Sequence, residues 1–146
     1  MAFWQYSFWA VPKNKLIEVY SLLPNKITEH DFNELKWFSG FTDINQLINS
    51  IDYLSKGNHW NKDTEFWGEY ESDSISLLYQ NNELCEVFIR LDLRKDYTVM
   101  INNVVRMLLT NELLIIDESL NVISPDLNII INEINLKTKG NVEYFK

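Results

Sequence analysis

The stretch Glu86-Val87-Phe88-Ile89-Arg90-Leu91-Asp92-Leu93-Arg94 decides how this chain folds. Alternation sets Val87, Ile89, Leu91 and Leu93 on one face of an extended strand, and Glu86, Phe88, Arg90, Asp92 and Arg94 on the other. One face is built for a core. The other carries two guanidiniums with a carboxylate between them, the densest ordered charge in the sequence. Such a strand belongs in an antiparallel sheet that helices cover from one side.

Glu65–Glu71 and Ser74–Gln80 read as two strands that pair with it in a meander, with Ser72-Asp73 and Asn81-Asn82-Glu83 as the turns. Residues 3–11 alternate as a further strand, with Trp4, Tyr6, Phe8 and Ala10 on one side. Leu113–Asp117 and Asn121–Ile123 form a late hairpin, and Val142–Phe145 an edge strand.

Between them lie helices. The first starts at Pro12 and runs to about Leu22, with Leu16, Ile17 and Tyr20 inward. A short one opens at Thr28, with Asp31 completing an imperfect capping box. The third is capped by Thr42 or Asp43, carries Ile44, Leu47, Ile48, Ile51 and Leu54 at helical period, and stops at Gly57. Asp96 caps a fourth, whose Tyr97, Met100, Ile101, Val104, Val105 and Leu108 share a face. Ser124-Pro125-Asp126 opens a fifth, with Leu127, Ile130, Ile131 and Ile134 as its stripe and Gly140 as its end. No repeat or long linker divides the chain. The expectation is a single α+β domain over residues 1–146, a mainly antiparallel sheet with helices on one face. The second face would be wet, and Arg90, Asp92 and Arg94 would lie on it.

The 146 residues carry a net charge of −8. Nucleic-acid binding draws its affinity from cationic side chains, so that class is disfavoured, as is attraction to an anionic membrane surface. A basic protein partner is favoured through steering. A single cysteine, Cys85, rules out an internal disulfide and a multi-cysteine zinc site, and reads as a small buried hydrophobe. The amino-terminal residues lack the basic start of a signal peptide, and no apolar run approaches the roughly 18 residues of a membrane span. The chain reads as cytoplasmic, with no membrane association.

Catalytic patterns are missing. The four glycines, Gly40, Gly57, Gly68 and Gly140, lie too far apart for a phosphate loop, and His30 and His59 belong to no metal-binding helix pattern. No cofactor or metal is implied. Cys85 has no neighbour that would lower its pKa for nucleophilic work. Glu69 and Glu71 share a strand face, as do Glu86 and Asp92, and an acid/base cluster with Arg90 would follow if the strands are neighbours. Cross-strand ion pairing on a solvated face is the commoner use of such residues. Arg90 and Arg94 could grip an anion, but Asp92 stands between them to occupy one guanidinium. His59, Trp60, Phe66 and Trp67 gather aromatic surface in a polar segment, as interface anchors do, whereas Trp4 and Trp37 read as core.

The order of features — an aromatic first strand, Trp67-Gly68-Glu69, a hairpin, the Arg90-x-Asp92-x-Arg94 strand, a helix, Leu113–Glu118, then Ile123-Ser124-Pro125-Asp126 before a last helix — resembles a group of small stand-alone bacterial domains. Some of these look like immunity proteins of polymorphic toxin systems. The resemblance covers mainly residues 65–146. It implies a non-catalytic protein that neutralises a toxin by stoichiometric binding, with a basic toxin domain the partner that the charge favours. The contact surface would draw on Glu69, Glu71, Asp73 and Glu86, with Trp60 or Trp67 as its aromatic anchor. The alternative is a small-ligand-binding protein or enzyme that uses the Arg90, Asp92 and Arg94 face. A homodimer joined through the sheet is a further expectation.

Overall fold

The computed structural model describes the backbone of residues 4–144 and the side chains of residues 4–137. Its strands are β1 (Gln5–Pro12), β2 (Lys56–Gly57), β3 (Thr64–Gly68), β4 (Ser74–Gln80), β5 (Glu83–Asp92), β6 (Leu113–Asp117) and β7 (Val122–Ile123). The helices are α1 (Lys13–Tyr20), α2 (Glu29–Glu34), α3 (Ile44–Ser50), α4 (Thr98–Thr110) and α5 (Leu127–Tyr144). The strands make one antiparallel sheet in the order β2-β3-β4-β5-β1-β6-β7. The protein is an α+β fold, as its sequence pattern predicts.

β5 lies at the centre, between β4 and β1. Register carries its alternation across the sheet: Ile89 opposes Phe8 and Ile75, and Val87 opposes Ala10 and Leu77. These residues are buried and share one hydrophobic cluster with Leu47 of α3, Met100, Ile101, Val104, Met107 and Leu108 of α4, and Ile130 and Ile134 of α5. Burying side chains of this kind stabilises the fold by about 1.5–3 kcal/mol each before entropy is counted. The β4–β5 hairpin closes through Asn81 and Asn82, both at positive φ, as a two-residue turn matched to strand twist requires.

The opposite face is not simply wet. Trp9 meets Phe32 of α2 edge-on at 4.8 Å and packs beside Phe88, so the segment that contains α2 covers part of it. Val11, Leu114 and Ile116 on this face are also buried. Several boundaries differ from expectation: α1 ends at Tyr20, β3 at Gly68 and β5 at Asp92, so Glu69, Glu71 and Arg94 lie beyond the strands. α3 ends at Ser50, whose hydroxyl donates to the Leu47 carbonyl while accepting from Asn111 Nδ2, and Gly57 sits in β2 instead of stopping a helix. α5 continues through Gly140 to Tyr144, so Val142–Tyr144 is helical and not an edge strand, and Phe145 lies outside the described residues. Gly in a helix costs only about 1 kcal/mol, too little to stop one by itself.

Candidate binding surface

The turn between β3 and β4 is shaped by backbone first. Gly68 sits at φ +95°, and a Cβ there would lie 2.1 Å from the Asp73 carbonyl oxygen. Only glycine lets the chain fold back this tightly. The Glu69 amide then donates to the Asp73 carbonyl at 3.1 Å, and the Ser72 amide to the Glu69 carbonyl. Glu69, Tyr70 and Glu71 are thereby held outward, beyond the end of β3.

Charged residues of β5 and the segment after it fasten this turn. Asp92 is 4% exposed and accepts from the Arg94 amide and Nε at 3.0 Å, from Arg94 Nη2 at 3.1 Å and from Ser72 Oγ at 3.3 Å. Its own amide donates to Asp73 Oδ1 at 2.8 Å, while Lys95 pairs with Asp73 Oδ2 at 3.0 Å. Arg94 also donates to the Glu71 carbonyl and lies 3.6 Å from the Trp4 ring centre. Arg90 Nη1 donates to the Tyr70 carbonyl at 2.9 Å. The hydrogen bonds from Arg94 hold the Asp92 carboxyl below its ordinary range, more than its burial raises it. Arg90, Asp92 and Arg94 thus form a clasp on the Glu69–Asp73 turn, with both guanidiniums bound to its carbonyls. Among the described residues, Arg90 Nε and Ser7 Oγ, on cross-strand partners of this face, are buried without a hydrogen-bond partner.

Beside the clasp stands an aromatic group. Tyr70 stacks on Phe66 at 4.7 Å, and His59 lies 5.5 Å from Tyr70 and 5.1 Å from Trp60. The Trp60 amide donates to Tyr70 Oη at 3.1 Å, and the Asn61 amide to His59 Nδ1 at 3.0 Å. Trp60 is therefore fixed at its backbone and backed by a ring, yet its side chain is 82% exposed. Nothing in periodicity marks Tyr70, which joins the aromatic group to the turn; its contact with Trp60 is non-local.

The six expected contact residues divide. Trp60, Glu69 and Glu71 are exposed. Trp67 is 4% exposed and belongs to the core, because its strand position faces Ile75 and the helices, with Lys56 over its ring. Asp73 is 7% exposed and spent on the clasp. Neither presents itself to a partner. Glu86 is half-buried, away from the turn, on the wall of a cleft with Trp9. Cys85 is partly exposed on the same cleft, not buried as expected. Among the described residues no group of three or more His, Cys, Asp or Glu side chains could hold a metal ion, and no helix is long and apolar enough to cross a membrane.

Protein-family models, curated protein sequences and solved structures yield no match to this chain.

Proposed function

We propose that this chain is a non-catalytic binding protein of the immunity type, which neutralises a toxin domain in the cytoplasm by stoichiometric contact. The observation that carries this reading is Trp60, 82% exposed on a backbone pinned by Tyr70. A large aromatic side chain left in water, on a pinned backbone and beside the His59 ring, forfeits burial that a docked partner would restore, as an interface anchor does. Glu69, Glu71 and the net charge of −8 supply an acidic surround suited to a basic partner. The clasp serves this surface by fixing the turn that carries both glutamates. The Arg90, Asp92 and Arg94 ligand site has less support, since these groups already bind one another or the turn.

The test is co-expression with the product of the adjacent gene. Protection from a toxic product is expected, and Trp60→Ala should weaken the purified complex by roughly 30-fold or more, the effect of a hot-spot truncation of about 2 kcal/mol. Its thermal unfolding should be unchanged. A harmless neighbouring product, or full affinity retained by Trp60→Ala, would overturn the proposal.

A further inference from the structure

A cleft of about 600 Å³ opens between the segment that follows α2 and the β4–β5 hairpin. Trp9, Phe32, Trp37 and Phe41 line it with aromatic surface, and Leu78 adds an aliphatic patch. Into this setting β5 sends Glu86. Its Oε1 accepts from the Trp9 indole N–H at 2.9 Å, and among the described residues no cation pairs with it. Glu34, Glu83 and Lys36 also line the cleft, so the carboxylates outnumber the cation.

A carboxylate half-removed from water needs compensation, and one neutral indole donor supplies part of it. Burial accordingly raises the Glu86 carboxyl above its ordinary range, against the opposing effect of the indole. A cation seated beside Glu86 would supply the rest, and the aromatic lining offers apolar surface to the body that carries it. The volume lies within the range of small-molecule sites and exceeds what one lysine or arginine of a partner fills.

We infer that this cleft binds a small organic cation, an amine with an apolar or aromatic body, whose ammonium pairs with Glu86 while its body packs on Trp9, Phe32 and Phe41. The site shares no lining residue with the Trp60 surface, so it stands or falls apart from the immunity reading.

Three probes of matched shape test it by calorimetry on the full chain: phenethylamine, 2-phenylethanol and phenylacetate. Phenethylamine should bind saturably, one per chain, roughly 10- to 100-fold more tightly than the neutral alcohol, the difference that a charged hydrogen-bond partner makes. Phenylacetate should bind most weakly. Glu86→Gln keeps an acceptor for Trp9 and should erase the preference for the amine. Phe41→Ala should weaken amine and alcohol alike, separating the wall from the charge. Equal affinity for the three probes, no saturable binding of phenethylamine, or an unchanged preference in Glu86→Gln would overturn the inference.

Discussion

Replacing Asp92 by asparagine tests whether the charged face of β5 is a clasp or an active centre. Asparagine keeps the shape and one acceptor oxygen, so the Arg94 amide and Nε can still donate at the positions now 3.0 Å from Oδ1. The other oxygen becomes an NH2 group facing Arg94 Nη2, now 3.1 Å away, and that charge-assisted bond is lost. Ser72 can reverse its hydroxyl and accept instead. A hydrogen bond to a charged group contributes about 1.5–3 kcal/mol and a neutral one about 0.5–1.5. Asp92 is buried, but the Arg94 side chain is 52% exposed, so solvent screens the pair and the lower values apply. The expected loss is about 1–2 kcal/mol, or roughly 3–8 °C in melting temperature for a chain of this size.

The sign of the pH dependence separates the ion pair from mere packing. The folded Asp92 carboxyl is held below its ordinary 3.8. Near that pH the unfolded chain binds more protons at this position, so folding is favoured as pH rises. The contribution is complete above the unfolded pKa and is lost as pH falls through the folded one. The asparagine side chain has nothing to titrate. Urea denaturation should therefore show wild type and Asp92→Asn separated at pH 7 and converging in acid, with all other carboxylates cancelling in the difference. An equal stability at pH 7, or a gap that persists undiminished in acid, refutes the clasp. If Asp92 were instead a catalytic group, the variant would unfold at the wild-type temperature.

Gly68→Ala should cost about 2 kcal/mol or more and leave Glu69–Asp73 accessible to protease, because φ +95° and the 2.1 Å approach to the Asp73 carbonyl cannot both be kept; denaturant midpoints and limited proteolysis measure this. Glu86→Gln should behave opposite to Asp92→Asn. The folded Glu86 carboxyl is raised by burial, so its contribution is full below the unfolded pKa and lost as pH rises through the folded value. The neutral variant should thus be more stable than wild type at pH 7 and equal to it in acid, in the same urea titration; a destabilised variant at pH 7 would refute the assignment.

Much of the sheet was legible because its signals are local. Val87, Ile89 and Leu91 alternate over a central strand, but their partners on β4 do not follow from the Asn81-Asn82 turn alone: the register shifts between Leu78 and Tyr79, and that bulge brings Leu77 opposite Val87 and Ile75 opposite Ile89. Helix starts were legible in part: Thr28 Oγ1 accepts from the Asp31 amide, as its capping pattern predicts, whereas α5 starts at Leu127 with Asp126 and not Ser124 accepting from the Ile129 amide, and Asp43 makes no side-chain bond at the start of α3. Helix ends were less so, since Ser50 terminates α3 through a hydroxyl that Asn111, far along the chain, helps to position. Trp67 illustrates a different loss. Its face assignment needs the pairing with Ile75, and without it a tryptophan near a polar loop looks the same as an anchor.

Alternation fixes the side of a sheet on which a residue lies, and nothing about what covers that side. Glu86, Arg90 and Asp92 share one face of β5 at a strict period, yet meet three environments: an aromatic cleft, the Tyr70 carbonyl and a closed turn. Opposite shifts follow for two carboxylates on one strand, Glu86 raised where burial outweighs a neutral indole donor and Asp92 lowered where a guanidinium is supplied. The difference makes their uses separable. A carboxylate already paired with Arg94 holds structure, because pulling its partner away would leave a buried charge uncompensated. One that lacks a cation retains free energy to gain from a ligand, and on this face that residue is Glu86.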